Sequence, residues 1–195
     1  MCIRDRKHTS AQTLEAFHQA REVGFEDINM DLIAGLPGDT AEKFAASLSQ
    51  VLALRPSNVT VHTLALKKGA ALFGSRMELP SQEAVAAMLA GAEDALRQNG
   101  YEPYYLYRQK YMSGSFENTG WCISGAEGLY NIYIMEELHS ILSLGAGGST
   151  KMVDPVHQRI ERVFHTKYPT EYIQRSEKLE ENLSAFRQFH ENMRG

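Results

Sequence analysis

Apolar residues recur along this chain at two spacings, and the breaks between runs fall at glycine and proline. From Thr9 the spacing is helical. Leu14 and Phe17 share a face, Thr9 and Gln12 stand at capping-box distance, and Gly24 sits where a C-terminal cap belongs. The run Asp27-Ile28-Asn29-Met30-Asp31-Leu32-Ile33 reads as a buried strand closed by Gly35-Leu36-Pro37-Gly38. A second helix is expected to start at Asp39 with Glu42 as its capping partner. It carries Phe44, Leu48, Val51 and Leu52 on one face, and Pro56 stops it. A second strand follows over 59–66. Ser81 then caps a third helix faced by Val85, Met88, Leu89, Ala92 and Leu96, which Asn99-Gly100 ends. A tyrosine-dense strand over 101–107 completes the pattern.

Helix and strand alternating through short links predict an α/β fold with a parallel sheet, either doubly wound or a barrel. Such a fold should open on a strand, whereas this chain opens on a helix. The organisation changes after Tyr107. Residues 112–128 are rich in Gly, Ser and Asn and read as a long loop. Residues 129–142 fit helix or strand equally, and 144–149 form a glycine-rich turn. An amphipathic helix over 177–193 presents Leu179, Leu183, Phe186 and Phe189 in register. Two regions are therefore expected, 1–107 and 108–195.

Composition narrows the function classes. Residues 1–100 hold 10 basic and 12 acidic residues, leaving 10 and 12 for the rest of the 195, a net charge of -4 with no asymmetry. No nucleic-acid footprint follows from such a balance. No run approaches the roughly 20 apolar residues of a membrane helix, and no secretory n-region and h-region open the chain. Cys2 and Cys122 are the two cysteines. A disulfide framework is not expected, and a reducing cytoplasm is. Two thiols also fall short of the usual iron–sulfur ligand set.

Several residues are candidates for chemistry. Alternation puts Asn29, Asp31 and Ile33 on one strand face and Ile28, Met30 and Leu32 on the other. If the apolar set packs under helices, Asp31 points to the inner face near the strand's C-terminal end, where α/β folds bind ligands. A carboxylate there accepts hydrogen bonds from ribose hydroxyls or an ammonium group; a structural Asp satisfied by turn amides is an equal reading. Gly35-Leu36-Pro37-Gly38-Asp39-Thr40 has no Walker lysine and no GxGxxG spacing, which favours a tight strand-to-helix turn over a phosphate cradle. His62 reads as a hydrogen-bonded core residue, and no His, Cys or carboxylate spacing builds a metal site. Arg108 and Lys110, bracketed by Tyr107 and Tyr111, suit the carboxylates of a large anionic ring or a solvated strand end. The glycines over 144–149 suit close approach of a ligand or a turn between core elements, and Cys122 an unpaired thiol.

Together these stretches resemble one family. Asn29-Met30-Asp31-Leu32-Ile33-Ala34-Gly35-Leu36-Pro37-Gly38 is similar to a strand signature of the radical S-adenosylmethionine (SAM) proteins related to oxygen-independent coproporphyrinogen III oxidase, in the branch called coproporphyrinogen dehydrogenase. Val61-His62-Thr63-Leu64-Ala65-Leu66-Lys67, Tyr107-Arg108-Gln109-Lys110-Tyr111-Met112-Ser113-Gly114, Glu117-Asn118-Thr119-Gly120, Tyr130-Asn131 and Met135-Glu136-Glu137 resemble its later motifs. The resemblance runs from about Arg6 to the C-terminus. It implies the C-terminal part of a partial (β/α) barrel of the radical SAM type, followed by a smaller mixed region. It also implies S-adenosylmethionine and a [4Fe–4S] cluster as cofactors, a porphyrinogen-type substrate, and oxidative decarboxylation of propionates in porphyrin and heme biosynthesis. Asp31 matches the family's cofactor-binding aspartate, Ala65 a backbone contact and Arg6 a ligand-contacting arginine. The cluster motif CxxxCxxC is absent from this chain, so cluster ligands are expected on an N-terminal half of a longer parent, and the chain alone is expected to be inactive. Ile123-Ser124-Gly125 and Lys68-Gly69-Ala70 also depart from the family pattern. Two other classes stay open: a non-catalytic heme- or porphyrin-binding module, and an α/β domain with an interaction role.

Overall fold

Strand β1 (Asn29–Ala34) pairs in parallel with β2 (Asn58–Thr63), Asn29 facing Asn58 and Ala34 facing Thr63. The computed structural model describes residues 8–65, 78–108 and 116–193, and its chain divides into two compact units between Gly128 and Leu129. In the first unit the elements run α1 (Ser10–Glu22), β1, α2 (Ala41–Ala53), β2, α3 (Gln82–Gln98), β3 (Glu102–Tyr107) and β4 (Asn118–Cys122). The sheet order is β1-β2-β4-β3, and β4 runs antiparallel to both neighbours. The parallel sheet expected from the alternation is thus mixed. A strand that the expected loop over 112–128 conceals lies in its middle. β4 reads Asn-Thr-Gly-Trp-Cys, too short and too poor in β-branched residues to register as a strand, yet Trp121 and Cys122 are both buried. The units accordingly divide past β4, beyond the change of composition after Tyr107.

Helices α2 and α3 cover one face of this sheet. Phe44, Leu48 and Val51 from α2, and Val85, Met88, Ala92 and Leu96 from α3, pack on Ala34, Val59, Val61 and Trp121. Truncating a residue as buried as Leu48 to Ala costs about 2–5 kcal/mol in such cores. Strand β1 presents Met30, Leu32 and Ala34 to the helices but leaves Asn29 and Asp31 exposed, so it is half-buried, not the buried strand expected. Helix α1 begins with the expected capping box of Thr9 and Gln12. Helix α2 is capped by Thr40, whose hydroxyl accepts from the Lys43 amide at 3.3 Å, one residue later than the expected Asp39. Asp39 instead closes the turn, its amide donating to Leu36 at 3.0 Å and its carboxylate accepting from Thr40. Gly35 has φ +86°, and a Cβ there would stand 3.2 Å from the Val85 side chain, so both backbone and neighbour ask for glycine. That motif is a strand-to-helix turn.

The second unit holds α4 (Leu129–Met135), the hairpin β5 (Ser149–Asp154) and β6 (Arg159–Phe164), α5 (Pro169–Gln174) and α6 (Ser176–Asn192). The ambiguous stretch after Leu129 is therefore helical in its first half, and the hairpin and α5 are new to the sequence reading. Met152, Val153 and Phe189 are buried beside a polar set. His165 lies between Asn182, whose amide meets Nδ1 at 3.1 Å, and the Ser143 carbonyl, which Nε2 reaches at 2.8 Å. Buried Lys151 donates to the Ile134 carbonyl at 2.9 Å and meets Glu137 at 2.7 Å, tying β5 to the end of α4. In the glycine-rich turn over 144–149, Gly148 packs on His165, whose amide donates to the Gly148 carbonyl at 2.9 Å. Among the described residues no helix is long and apolar enough to cross a membrane.

Candidate functional site

The sheet face turned away from α2 and α3 carries polar and aromatic side chains. Parallel register places Asp31 beside Thr60 and Ile33 beside His62. Antiparallel register sets Gly120 of β4 opposite Thr60, and Tyr105 of β3 opposite Gly120. A bulge between Pro103 and Tyr105 re-aims β3, and the Tyr105 and Tyr107 rings stack at 6.3 Å with their planes 7° apart. The Tyr105 ring lies across Gly120, where a Cβ would stand 1.8 Å from Cε1. Passing over the glycine, Tyr105 brings its hydroxyl within 3.4 Å of Thr60 Oγ1.

These groups form one network around Asp31. Asn29 Nδ2 donates to Asp31 Oδ1 at 2.6 Å, and the Thr60 hydroxyl donates to Asn29 Oδ1 at 3.0 Å. His62 Nε2 stands 3.5 Å from Asp31 Oδ2, while its Nδ1 lies 3.2 Å from the Tyr107 hydroxyl. The His62 imidazole is the main influence holding the Asp31 carboxyl below its usual range; burial, second in size, opposes it, and Asn29 and Thr60 add to the lowering. Burial pushes the Tyr105 phenol up, so it stays a neutral donor and acceptor. Asp31 is therefore an ionised and exposed carboxylate beside two stacked rings. Such a surface accepts hydrogen bonds from a diol or ammonium group and offers a π-face to a flat ligand.

Alternation places Asp31 on this face, midway along β1 and not at its C-terminal end. Ala65 is half-buried just beyond β2, after Leu64, whose amide donates to the Ala34 carbonyl at 2.9 Å. Arg108 leaves the end of β3 and pairs with Glu117 at 3.0 Å, both exposed. Arg6 and Lys110 lie outside the described residues. Sequence reasoning put Asn29 on the Asp31 face, missed Thr60, Tyr105 and Gly120 as parts of the site, and read His62 as core. The register that assembles them depends on β4, which the sequence hides. Counting period two outward from Asp31 reaches only Asn29 and Ile33.

An S-adenosylmethionine ligand fits the exposed Asp31 carboxylate, whose other neighbours already fix its orientation. An iron–sulfur cluster does not fit: Cys122 is buried in the first unit's core, its thiol pushed up to about 11 by burial, and Cys2 is the other cysteine. Among the described residues no three His, Cys, Asp or Glu side chains gather as a metal site.

No protein-family model matches the chain. The oxygen-independent coproporphyrinogen-III oxidase-like protein HemZ of Bacillus subtilis is 39% identical over 174 residues, 88% of this chain and 35% of that protein. The heme chaperone HemW of the same organism is 26% identical over 191 residues, covering 91% and 47% respectively. Coproporphyrinogen III oxidase HemN of Escherichia coli, described as a radical SAM enzyme, superposes with a TM-score of 0.61 at 20% identity, over 89% of this chain and 39% of its own. The chain thus spans well under two thirds of the length of the relatives it matches.

Proposed function

The chain belongs to the oxygen-independent coproporphyrinogen III oxidase-like family, and from that premise we propose that it is the C-terminal part of a radical SAM oxidoreductase whose open sheet face helps to hold S-adenosylmethionine. The observation that carries this reading is the exposed Asp31 carboxylate, oriented by Asn29 and His62 on the helix-free face. Bound there, S-adenosylmethionine would supply one-electron chemistry for oxidative decarboxylation of coproporphyrinogen III propionates. The chain's own share is to bind and orient. Asp31 accepts from ribose hydroxyls or the ammonium group, the backbone at Ala65 contacts the same ligand, and Arg6 adds a cationic contact. Arg108 and Lys110 receive substrate propionates. Arg108 must leave Glu117 to do so, and an exposed pair of that kind holds it by about 1 kcal/mol or less. The cluster belongs to the rest of a longer parent, and the reducing compartment such chemistry needs is the cytoplasm.

In a full-length parent carrying the CxxxCxxC segment, Asp31→Asn should weaken S-adenosylmethionine binding by about 1.5–3 kcal/mol, the range for a hydrogen bond to a charged group. Unchanged affinity by calorimetry would rule the contact out. The similarity to a protein named as a heme chaperone supports a second reading, a heme- or porphyrin-binding module. A saturable Soret band on heme titration at one heme per chain would favour it, and a linear, unsaturable rise would dismiss it.

A further inference from the structure

The role of His62 is left unassigned by this reading. Its ring is held from both sides: Tyr107 of β3 reaches Nδ1 at 3.2 Å, and Asp31 of β1 faces Nε2 at 3.5 Å. The Tyr107 ring also meets the imidazole edge-on, with centroids 6.3 Å apart. A phenol hydroxyl donating to Nδ1 makes that nitrogen an acceptor. The proton of the neutral imidazole then sits on Nε2, pointed at the carboxylate. Asp31 is consequently approached on Oδ1 by the Asn29 amide and on Oδ2 by the imidazole, with the Thr60 hydroxyl also acting on it, and it stays exposed. Among the described residues, the titratable groups facing His62 are Asp31 on β1 and Tyr107 on β3, with Tyr105 stacked behind it. Strand β4 places Asn118 and Gly120 next to them and carries no charge there.

Resting on the reading of this face as a cofactor site, we propose that His62 is a positioning residue: oriented by Tyr107, it fixes the Asp31 carboxylate for the ligand and makes ligand affinity pH-dependent. Neutral His62 gives Asp31 one hydrogen bond and leaves its charge available. Protonated His62 pairs with that charge at 3.5 Å and competes with a cationic ligand for it. Affinity for S-adenosylmethionine should therefore fall by about fivefold between a higher pH at which His62 is neutral and a lower one at which it is protonated, the size of one nearby charge at an exposed site.

The test is calorimetric titration of S-adenosylmethionine into the full-length parent carrying the CxxxCxxC segment and its variants, beside ring-nitrogen NMR of His62 in the 195-residue chain without ligand. His62→Gln keeps a donor toward Asp31 but no titratable charge. It should bind within about twofold of wild type at the higher pH and show no acid fall. His62→Ala, lacking both donor and charge, should bind about fivefold more weakly than wild type at the higher pH and about equally at the lower. The NMR spectrum should show the Nε2–H tautomer, shifted by Asp31→Asn and released by Tyr107→Phe. Wild-type binding that both His62 variants match at every pH would overturn the positioning role and leave the functional reading standing. Absence of wild-type binding would defeat the functional reading itself. An Nδ1–H tautomer, or one indifferent to Asp31 and Tyr107, would overturn the proposal whatever the ligand does.

Discussion

Gly120 carries no side chain because Tyr105 crosses over it on the way to Thr60. Gly120→Ala would drive a methyl into that ring, and overpacking of this kind costs about 1–3 kcal/mol. Thermal unfolding should show the loss, and pairing the change with Tyr105→Ala should return most of it; additive losses would mean the ring does not lie there. Cys122 is the opposite case, a side chain without chemistry. It is buried and its thiol is pushed up to about 11, so the thiolate is scarce at neutral pH. In a Cys2→Ser background, alkylation of native protein at about pH 8 should run on the order of a hundredfold slower than after denaturation. Equal rates would refute its burial. Asp31 was legible from period two alone, since each neighbour in a strand points the other way. Gly120 and Tyr105 were not, because their meaning lies in a partner strand.

Local capping chemistry explains which elements the sequence betrayed. Thr9 with Gln12, and Ser81 before α3, satisfy orphan amides within their own turn, so the signal is wholly local. The start of α2 was misplaced because Asp39 and Thr40 both cap well and only backbone geometry decides between them. Thr40→Ala should cost about 1 kcal/mol by denaturant unfolding, and Asp39→Ala less. The hairpin of β5 and β6 escaped because β6 alternates poorly, Arg-Ile-Glu-Arg-Val-Phe, and most of it is exposed. Its turn is fixed by Asp154, whose Oδ1 accepts from the Val156 and His157 amides at 3.1 Å each and whose Oδ2 meets His157 Nδ1 at 2.8 Å. Burial alone would raise this carboxyl, but those donors outweigh it and hold the group below its usual range. A lowered folded value stabilises above the unfolded one and is lost as pH falls through the folded one. Asp154→Asn should therefore be less stable than wild type near neutral pH, with the two melting curves converging below about pH 4. A gap that persists in acid would point away from the carboxylate charge.

For the whole molecule, the two cysteines set one expectation. Reconstituted with iron and sulfide under anaerobic conditions, this chain should hold no stoichiometric cluster and cleave no S-adenosylmethionine on reduction. Close to four irons per chain together with 5′-deoxyadenosine would sink the reading of it as part of a longer enzyme.

The placement of β4 between β2 and β3 has a consequence for synthesis. A chain emerging from the ribosome completes β3 first, but β3 has no strand to join until residues 118–122 appear. Until then its tyrosines and the exposed edge of β2 stay open to other chains, the period in which nascent α/β proteins are most prone to aggregate. A ribosome pausing while residues 102–107 are outside its exit tunnel and 118–122 are still inside would prolong that exposure, and one pausing after 118–122 have emerged would not, because by then the first unit can close its sheet in order.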